Sequence, residues 1–219
     1  VGYRLATNVY TENYDEKRGI ERMKKYADLF GLTEKTGVET EENESQYSST
    51  LPVDTAIGQG SSNITTIALA RYVNAIASRG NVYSLSLVNR VADLDGHTVK
   101  LYGPKLKNTV DISDEEWDMV NRGMRIVVEK AKAFSDMPIE VAGKTGTAQS
   151  SKSRTNHALF VGFAPYEDPE ISIAIRMAYG YTSGNAASLA ADVIKYYYNL
   201  EDNLITGVAD VSETEVIED

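Results

Sequence analysis

The sequence predicts a mixed α/β fold in which helices flank an antiparallel sheet, and three observations support this fold class. Apolar residues recur at helical spacing in four segments, approximately residues 19–31, 65–80, 111–129 and 183–200. Strand-like apolar runs follow Ile139, and the turn sequence Glu167–Glu170 between the last two predicts an antiparallel pair. The last helical segment then closes the chain after the strands.

The first half of the chain contains two predicted helices separated by a polar loop. Gly31 follows the first helical pattern and is expected to end it. Residues 39–50 are acidic and then polar, which predicts a solvated loop. Thr65 is the expected N-cap of the second helix, and Gly80 is expected to end that helix.

Between the second and third predicted helices, residues 85–99 are expected to form a β-hairpin around the turn Asp95-Gly96. The third helix begins with a capping-box pattern from Ser113 to Glu116. Trp117 lies at helical spacing with apolar residues, so we expect it in the core.

The charge distribution excludes one class of partner. The 219 residues carry a formal net charge of −10, and all charged residues after Leu200 are acidic (Glu201, Asp202, Asp210, Glu213, Glu215, Glu218 and Asp219). We expect residues 201–219 to be a flexible acidic tail and residues 1–200 to form the folded part. No basic surface of the kind that binds nucleic acid is evident.

Cysteine is absent, which excludes disulfide bonds, thiol catalysis and cysteine-bound zinc. The only two histidines, His97 and His157, are too few for a multi-histidine metal site. His97 is expected to be exposed, and His157 is expected to have a surface or capping role and not a catalytic one. We therefore predict no metal and no cofactor. No apolar run approaches the length of a membrane span, so we expect the chain itself to be soluble.

Residues 143–149 allow two interpretations. Gly143-Lys144-Thr145 could end a phosphate-binding loop, G-x-x-x-x-G-K-[ST]. The first glycine of that loop would then fall at Pro138, which lacks a backbone N–H, and the residues after Thr145 give no helical signal. A nucleotide-binding protein is therefore only a remote alternative.

The second interpretation is the Lys-Thr-Gly element of penicillin-interacting serine enzymes. Lys144 would place a positive charge near the reacting groups, and the Thr145 hydroxyl would bind a substrate carboxylate. Gly146 would let a substrate backbone pack against the strand, and the Thr147 N–H would help to stabilise an oxyanion.

The surrounding sequence resembles the transpeptidase domain of class B penicillin-binding proteins. Residues 142–149, A-G-K-T-G-T-A-Q, are similar to that family's site strand, and residues 158–165 to the strand after it. Residues 30–38 look like its F-G-L-G-x-x-T-G-I/V element and residues 57–60 like its I-G-Q-G turn. The resemblance implies the C-terminal part of a penicillin-binding-protein transpeptidase or serine β-lactamase-like fold.

The family's nucleophile is missing from this sequence. No serine is followed by lysine three residues later, so S-x-x-K and the S-x-N element are expected upstream of Val1. Two S-x-N strings, at residues 61–63 and 183–185, are interpreted as helix caps. We therefore expect no catalytic residue in this chain, and Ser183 and Gly184 are candidates to line the far side of the cleft.

The resemblance implies a parent enzyme that cross-links peptidoglycan stem peptides through a serine acyl-enzyme and is trapped by β-lactams. This chain alone is expected to be inactive. The parent is expected to be anchored in the cytoplasmic membrane, with this domain outside and cell-wall synthesis proteins as partners. Without the family's first two strands the sheet is expected to expose an edge that favours self-association. A catalytically dead peptidoglycan sensor or scaffold is the alternative.

Overall fold

A computed structural model describes residues 2–7, 15–149 and 153–200, so the acidic segment 201–219 lies outside the described residues. The helices in these ranges are α1 (Gly2–Thr7), α2 (Glu16–Leu29), α3 (Pro52–Ala56), α4 (Thr66–Ala77), α5 (Asp114–Glu129) and α6 (Ser183–Tyr197). None of them combines the length and the apolar character that crossing a bilayer requires. The strands are β1 (Asn81–Ser84), β2 (Arg90–Ala92), β3 (Thr98–Leu101), β4 (Lys105–Thr109), β5 (Ala142–Ala148), β6 (His157–Ala164) and β7 (Ile171–Met177).

The central sheet is antiparallel in the order β5–β6–β7, and its β6–β7 part is the antiparallel pair that the sequence predicts. Successive residues of a strand point to opposite faces, and both faces of this sheet are covered by helices. On one face, Phe160 packs with Ile194 of α6. On the other, Phe163 packs with Val73 of α4 and Trp117 of α5. The predicted α/β class, with helices flanking an antiparallel sheet, is therefore confirmed.

Two small β-pairs extend from this layered core. The predicted hairpin is present as β2 paired with β3, although its arms are shorter than residues 85–99 suggest. Its side chains are exposed on both arms. The pairing of β1 with β4 was not predicted, because β4 reads Lys-Leu-Lys-Asn-Thr and lacks a clear alternating pattern.

A buried arginine organises the segment after α2. Arg71 of α4 has no exposed surface, and its guanidinium donates hydrogen bonds to the carbonyl oxygens of Gly31, Glu34 and Lys35. Burial lowers the pKa of Arg71, while the neighbouring Glu34 and Glu42 act against this change. Gly31 has a φ of +72°, and a Cβ there would lie 2.8 Å from the Arg71 Cζ. Both facts explain why glycine ends this helix.

Part of the predicted solvated loop is buried, so that prediction is wrong for Ser45 and Ser48. The Ser48 N–H donates to the Ser62 hydroxyl at 3.0 Å, and the Ser61 hydroxyl donates to the Ser48 hydroxyl at 3.0 Å. The string 61–63 is therefore not a helix cap, since Thr65 caps α4 as predicted. Cross-loop hydrogen bonds of this kind leave no periodic signal in a sequence.

The string 183–185 also differs from its predicted role. Thr182 is the N-cap of α6, and its side chain accepts a hydrogen bond from the Gly184 N–H. The Asn185 side chain instead donates to the carbonyl oxygen of Gly180 at 2.9 Å. The residues at this helix start thus support the bend after β7.

The capping box at the start of α5 is confirmed and provides a first prediction. The Ser113 hydroxyl accepts from the Glu116 N–H, and the Glu116 carboxylate accepts from the Ser113 N–H. Ser113→Ala is expected to lower the free energy of unfolding by about 1 kcal/mol. Urea denaturation measures this loss. Ser113→Asp, which retains a cap acceptor, should remain close to the wild type, and equal losses for both variants would contradict the interpretation.

Candidate functional site

The predicted site residues lie in the middle of strand β5. The register pairs Lys144 with Val161 and Gly146 with Leu159 of the neighbouring strand β6. Paired residues of an antiparallel ladder point to the same face of the sheet, so these four residues share one face. Nearer to Phe163, the same face is covered by α4 and α5. Lys144 is exposed, and Gly146 has no side chain to fill the space beside it. This face of the strand is therefore open next to a positive charge.

The two threonines alternate with these residues and flank the strand on the opposite face. Thr145 pairs with Phe160 and Thr147 with Ala158, and both partners belong to the core that α6 covers. Thr145 is half-buried and Thr147 is exposed. Lys144 and the threonine hydroxyls thus lie on either side of one strand.

The hydrogen bonds of β5 show which backbone groups remain available. In an antiparallel pair, the N–H and C=O of one residue point to the same side, and this side alternates along the strand. The Tyr166 N–H donates to the Glu140 carbonyl at 2.8 Å, so the Glu140 carbonyl faces the β6 side. By alternation, residues 142, 144, 146 and 148 bond to β6.

The odd-numbered residues point the other way, to the outer edge. Arg125 donates to the Val141 carbonyl at 3.4 Å, and the Lys144 ammonium donates to the Thr145 carbonyl at 2.7 Å. Gly143, Thr145 and Thr147 therefore present their backbone N–H groups to an edge that pairs with no described strand. An extended ligand can add to such an edge by main-chain hydrogen bonds.

Gly143 fixes how closely β5 packs on the core. A Cβ at this position would lie 2.8 Å from the Val161 carbonyl oxygen and 2.8 Å from a ring carbon of Phe160. The aromatic ring of Phe160 stacks on Phe134 at a centroid distance of 5.4 Å. The first glycine of the A-G-K-T-G segment is therefore a packing residue.

Arg125 is a site-supporting residue that the sequence did not reveal. Its guanidinium contacts the Glu140 carboxylate at 3.1 Å and the Glu129 carboxylate at 3.7 Å, besides the Val141 carbonyl. Its side chain is 19% exposed, far less than a free surface arginine. The i,i+4 spacing of Arg125 and Glu129 is visible in the sequence, but the contact with β5 depends on tertiary packing. Arg125 thus links α5 to the residues directly before β5 through these contacts.

Removal of this arginine should weaken the fold by a measurable amount. Arg125→Ala is expected to lower the free energy of unfolding by about 1–2 kcal/mol, because the Val141 carbonyl loses a charged donor in a partly buried place. Urea denaturation is the measurement. Arg79→Ala is the matched control, since Arg79 contacts Asp114 and Asp118 of α5 but is exposed. A loss as large for Arg79→Ala would contradict a special role for Arg125.

The phosphate-loop interpretation is wrong. Lys144 and Thr145 lie within a regular strand, whereas a phosphate loop requires a helix to begin directly after its Lys-Thr pair. Here the chain next enters strand β6 at His157.

The remaining candidates lie at two separate places. Ser183 and Gly184 are the first two residues of α6, and they directly follow the bend after β7. The Tyr181 N–H of that bend donates to the carbonyl oxygen of Asn156, just before β6. His97 is exposed as predicted and lies with Asp93 at the turn of the β2–β3 hairpin, at an Nδ1–Oδ2 distance of 3.3 Å. The Asp93 carboxylate also accepts from the His97 N–H, which stabilises the turn.

Comparison with known proteins agrees with this arrangement. Residues 4–195 match the penicillin binding protein transpeptidase domain. The chain belongs to this family. The class B interpretation of its motifs is thereby confirmed. This penicillin-binding-protein domain is 29% identical to peptidoglycan D,D-transpeptidase MrdA of Haemophilus influenzae, over 89% of the chain and 35% of that protein. It is 32% identical to stage V sporulation protein D of Bacillus subtilis, over 73% of the chain and 27% of that protein.

Solved structures show the same fold. Penicillin-binding protein 2B of Streptococcus pneumoniae superposes with a TM-score of 0.78 at 23% identity, covering 92% of this chain and 38% of that one. Penicillin-binding protein 2 of Pseudomonas aeruginosa superposes with a TM-score of 0.69 at 27% identity, covering 87% of this chain and 47% of that one. The penicillin-binding-protein domain described here spans about a third of the length of the MrdA protein that it matches.

Proposed function

We propose that this chain is the C-terminal part, within residues 1–200, of a peptidoglycan D,D-transpeptidase domain, followed by an acidic tail at residues 201–219. The observation that carries the proposal is the outer edge of β5 beside Lys144, which pairs with none of the described strands. The ligand would be a peptidoglycan stem peptide, and β-lactams would bind as its analogues. No cofactor is required for this chemistry.

Each residue of the segment has a distinct role in the proposal. The Lys144 ammonium supplies positive charge close to the strand, and the Thr145 hydroxyl binds the terminal carboxylate of the peptide. Gly146 leaves room for the peptide on the open face, and the Thr147 N–H donates to the developing oxyanion. The alternating direction of the backbone hydrogen bonds along β5 favours this last role, since the Thr147 N–H is one of the groups that point away from β6.

The nucleophile would come from an upstream S-x-x-K serine of the parent protein. Its oxygen forms an ester with the penultimate D-Ala carbonyl, and the amide C–N bond breaks so that terminal D-Ala leaves with the proton. An amine of a neighbouring stem peptide then attacks the ester, forms the cross-link and returns the proton to the serine. Ser183 and Gly184 would line the far side of the cleft.

Three further features of the parent belong to the same proposal. A membrane anchor would hold it with this domain on the extracytoplasmic side, and proteins of cell-wall synthesis would be its partners. The outer edge of β7 pairs with no described strand and would promote self-association of this chain when it is isolated.

Intact mass spectrometry with a penicillin tests the proposal. This chain alone should gain no adduct, while the parent protein that includes S-x-x-K should gain one penicillin per molecule. Mutation of that upstream serine to alanine should abolish the adduct. A stoichiometric adduct on this chain alone would contradict the assignment of the nucleophile. A parent that lacks S-x-x-K but binds stem peptide would instead support the sensor or scaffold alternative.

A further inference from the structure

His157 and Arg176 form an unusual contact near the end of β5. The Tyr179 backbone N–H donates to Nδ1 of His157 at 3.1 Å. A backbone N–H can only donate, so Nδ1 carries no proton, and the neutral imidazole must carry its proton on Nε2. The surrounding backbone thereby selects the tautomer of His157.

This tautomer leaves two donors facing each other. Nε2 of His157 lies 3.5 Å from Nη2 of Arg176, and a guanidinium group has no acceptor. The pair is therefore not a hydrogen bond. The Tyr179 ring also contacts the imidazole, at a ring-centroid distance of 5.0 Å. An acceptor atom beside this pair would satisfy both donors at once.

Among the described residues, no carboxylate side chain contacts the His157–Arg176 pair. None of the described carboxylates pairs with Arg176 or with Arg154, a second arginine that donates to the Tyr179 hydroxyl at 2.6 Å. The cluster of His157, Arg176, Arg154 and Tyr179 therefore carries positive charge without a carboxylate partner in the part of the chain that the structure describes. This contrasts with Arg125 and Arg79, which both contact carboxylates.

The strand register places the two donors on the open face of the sheet. His157 pairs with Ala148, and Arg176 pairs with Leu159, which itself pairs with Gly146. Both donors therefore share the face of Lys144, near the end of β5 that contains Thr147. A ligand on the outer edge of β5 that extends over this face would meet them after passing Gly146.

We propose that the His157 Nε2–H and the Arg176 guanidinium bind a carboxylate of the peptide ligand, separate from the carboxylate assigned to Thr145. A planar carboxylate offers two oxygens and matches adjacent imidazole and guanidinium donors, with charge assistance from the arginine. This inference rests on the proposed function, because it assumes that the ligand of β5 is a peptide that carries more than one carboxylate. Stem peptides with an acidic residue satisfy this requirement.

Nuclear magnetic resonance of the 219-residue chain tests the inference directly. The probe is N-acetyl-D-glutamate, and the neutral control is the corresponding diamide. We expect saturable shifts of the His157 Nε2–H and Arg176 side-chain signals with the carboxylate probe alone. Arg176→Gln should weaken binding at least about tenfold, since a charged donor is lost. Arg154→Gln removes the same charge from the same cluster and should weaken binding less than about twofold.

Three results would overturn the inference. Equal shifts with the diamide would exclude carboxylate recognition. Equal affinity for inorganic phosphate, or equal loss in the Arg154→Gln and Arg176→Gln variants, would show only a general attraction of anions. The titration involves no acylation, so its failure is distinguishable from failure of the proposed function, which the penicillin adduct of the parent reports.

Discussion

Thr147→Pro in the parent protein is expected to slow acylation by a penicillin about 100–1,000-fold, the usual effect of removing one oxyanion donor. Proline lacks the N–H that Thr147 presents to the outer edge of β5. Strand proline is tolerated where the missing N–H would face away from the ladder, as the alternation along β5 requires at this position. The fold should therefore survive the substitution. Stopped-flow acylation measures the effect.

The matched control is Thr147→Val, which retains the backbone N–H and removes only the hydroxyl. It should lose much less activity than the proline variant. Urea denaturation of this chain with each substitution shows whether the sheet is intact. If Thr147→Pro acylates as fast as Thr147→Val, the backbone N–H does not stabilise the oxyanion and the assigned edge is wrong.

Gly143→Ala is expected to lower the free energy of unfolding by about 1–3 kcal/mol, the range for overpacking a well-filled core. The new Cβ would lie 2.8 Å from the Val161 carbonyl oxygen, and a backbone atom cannot move aside without shifting β6. The Phe160 ring is also too close, and it is fully buried. Urea denaturation of the 219-residue chain is again the measurement.

Gly146→Ala provides the comparison within the same strand. Its Cβ would lie 3.5 Å from the Leu159 Cβ, an ordinary van der Waals distance. The free energy of unfolding of this variant should therefore be close to that of the wild type. Equal destabilisation of the two variants would mean that the backbone conformation of β5, and not the contact with β6, requires glycine at these positions.

Local patterns allowed much of this fold to be predicted. The capping box at Ser113 and the Asp95-Gly96 turn depend on neighbours in sequence, and both are present. The β6–β7 pair follows from short apolar runs and one acidic turn. The site strand was recognised for the same reason, since A-G-K-T-G-T-A-Q is a contiguous segment.

Features that depend on distant contacts escaped the sequence analysis. The burial of Arg71 requires three carbonyls from a loop that lies about 40 residues earlier in the chain. The contact of Arg125 with Val141 and the tautomer of His157 both require the completed sheet. Which backbone N–H groups of β5 point to its outer edge likewise follows from the alternating hydrogen bonds with β6, and no residue pattern encodes that alternation.

A crystal structure of the parent protein acylated by a penicillin tests the central claim most directly. We expect the acyl carbonyl oxygen to accept a hydrogen bond from the Thr147 N–H, with the ligand along the outer edge of β5 and its carboxylate at Thr145. A ligand bound away from this edge, for example at the outer edge of β7, would contradict the account.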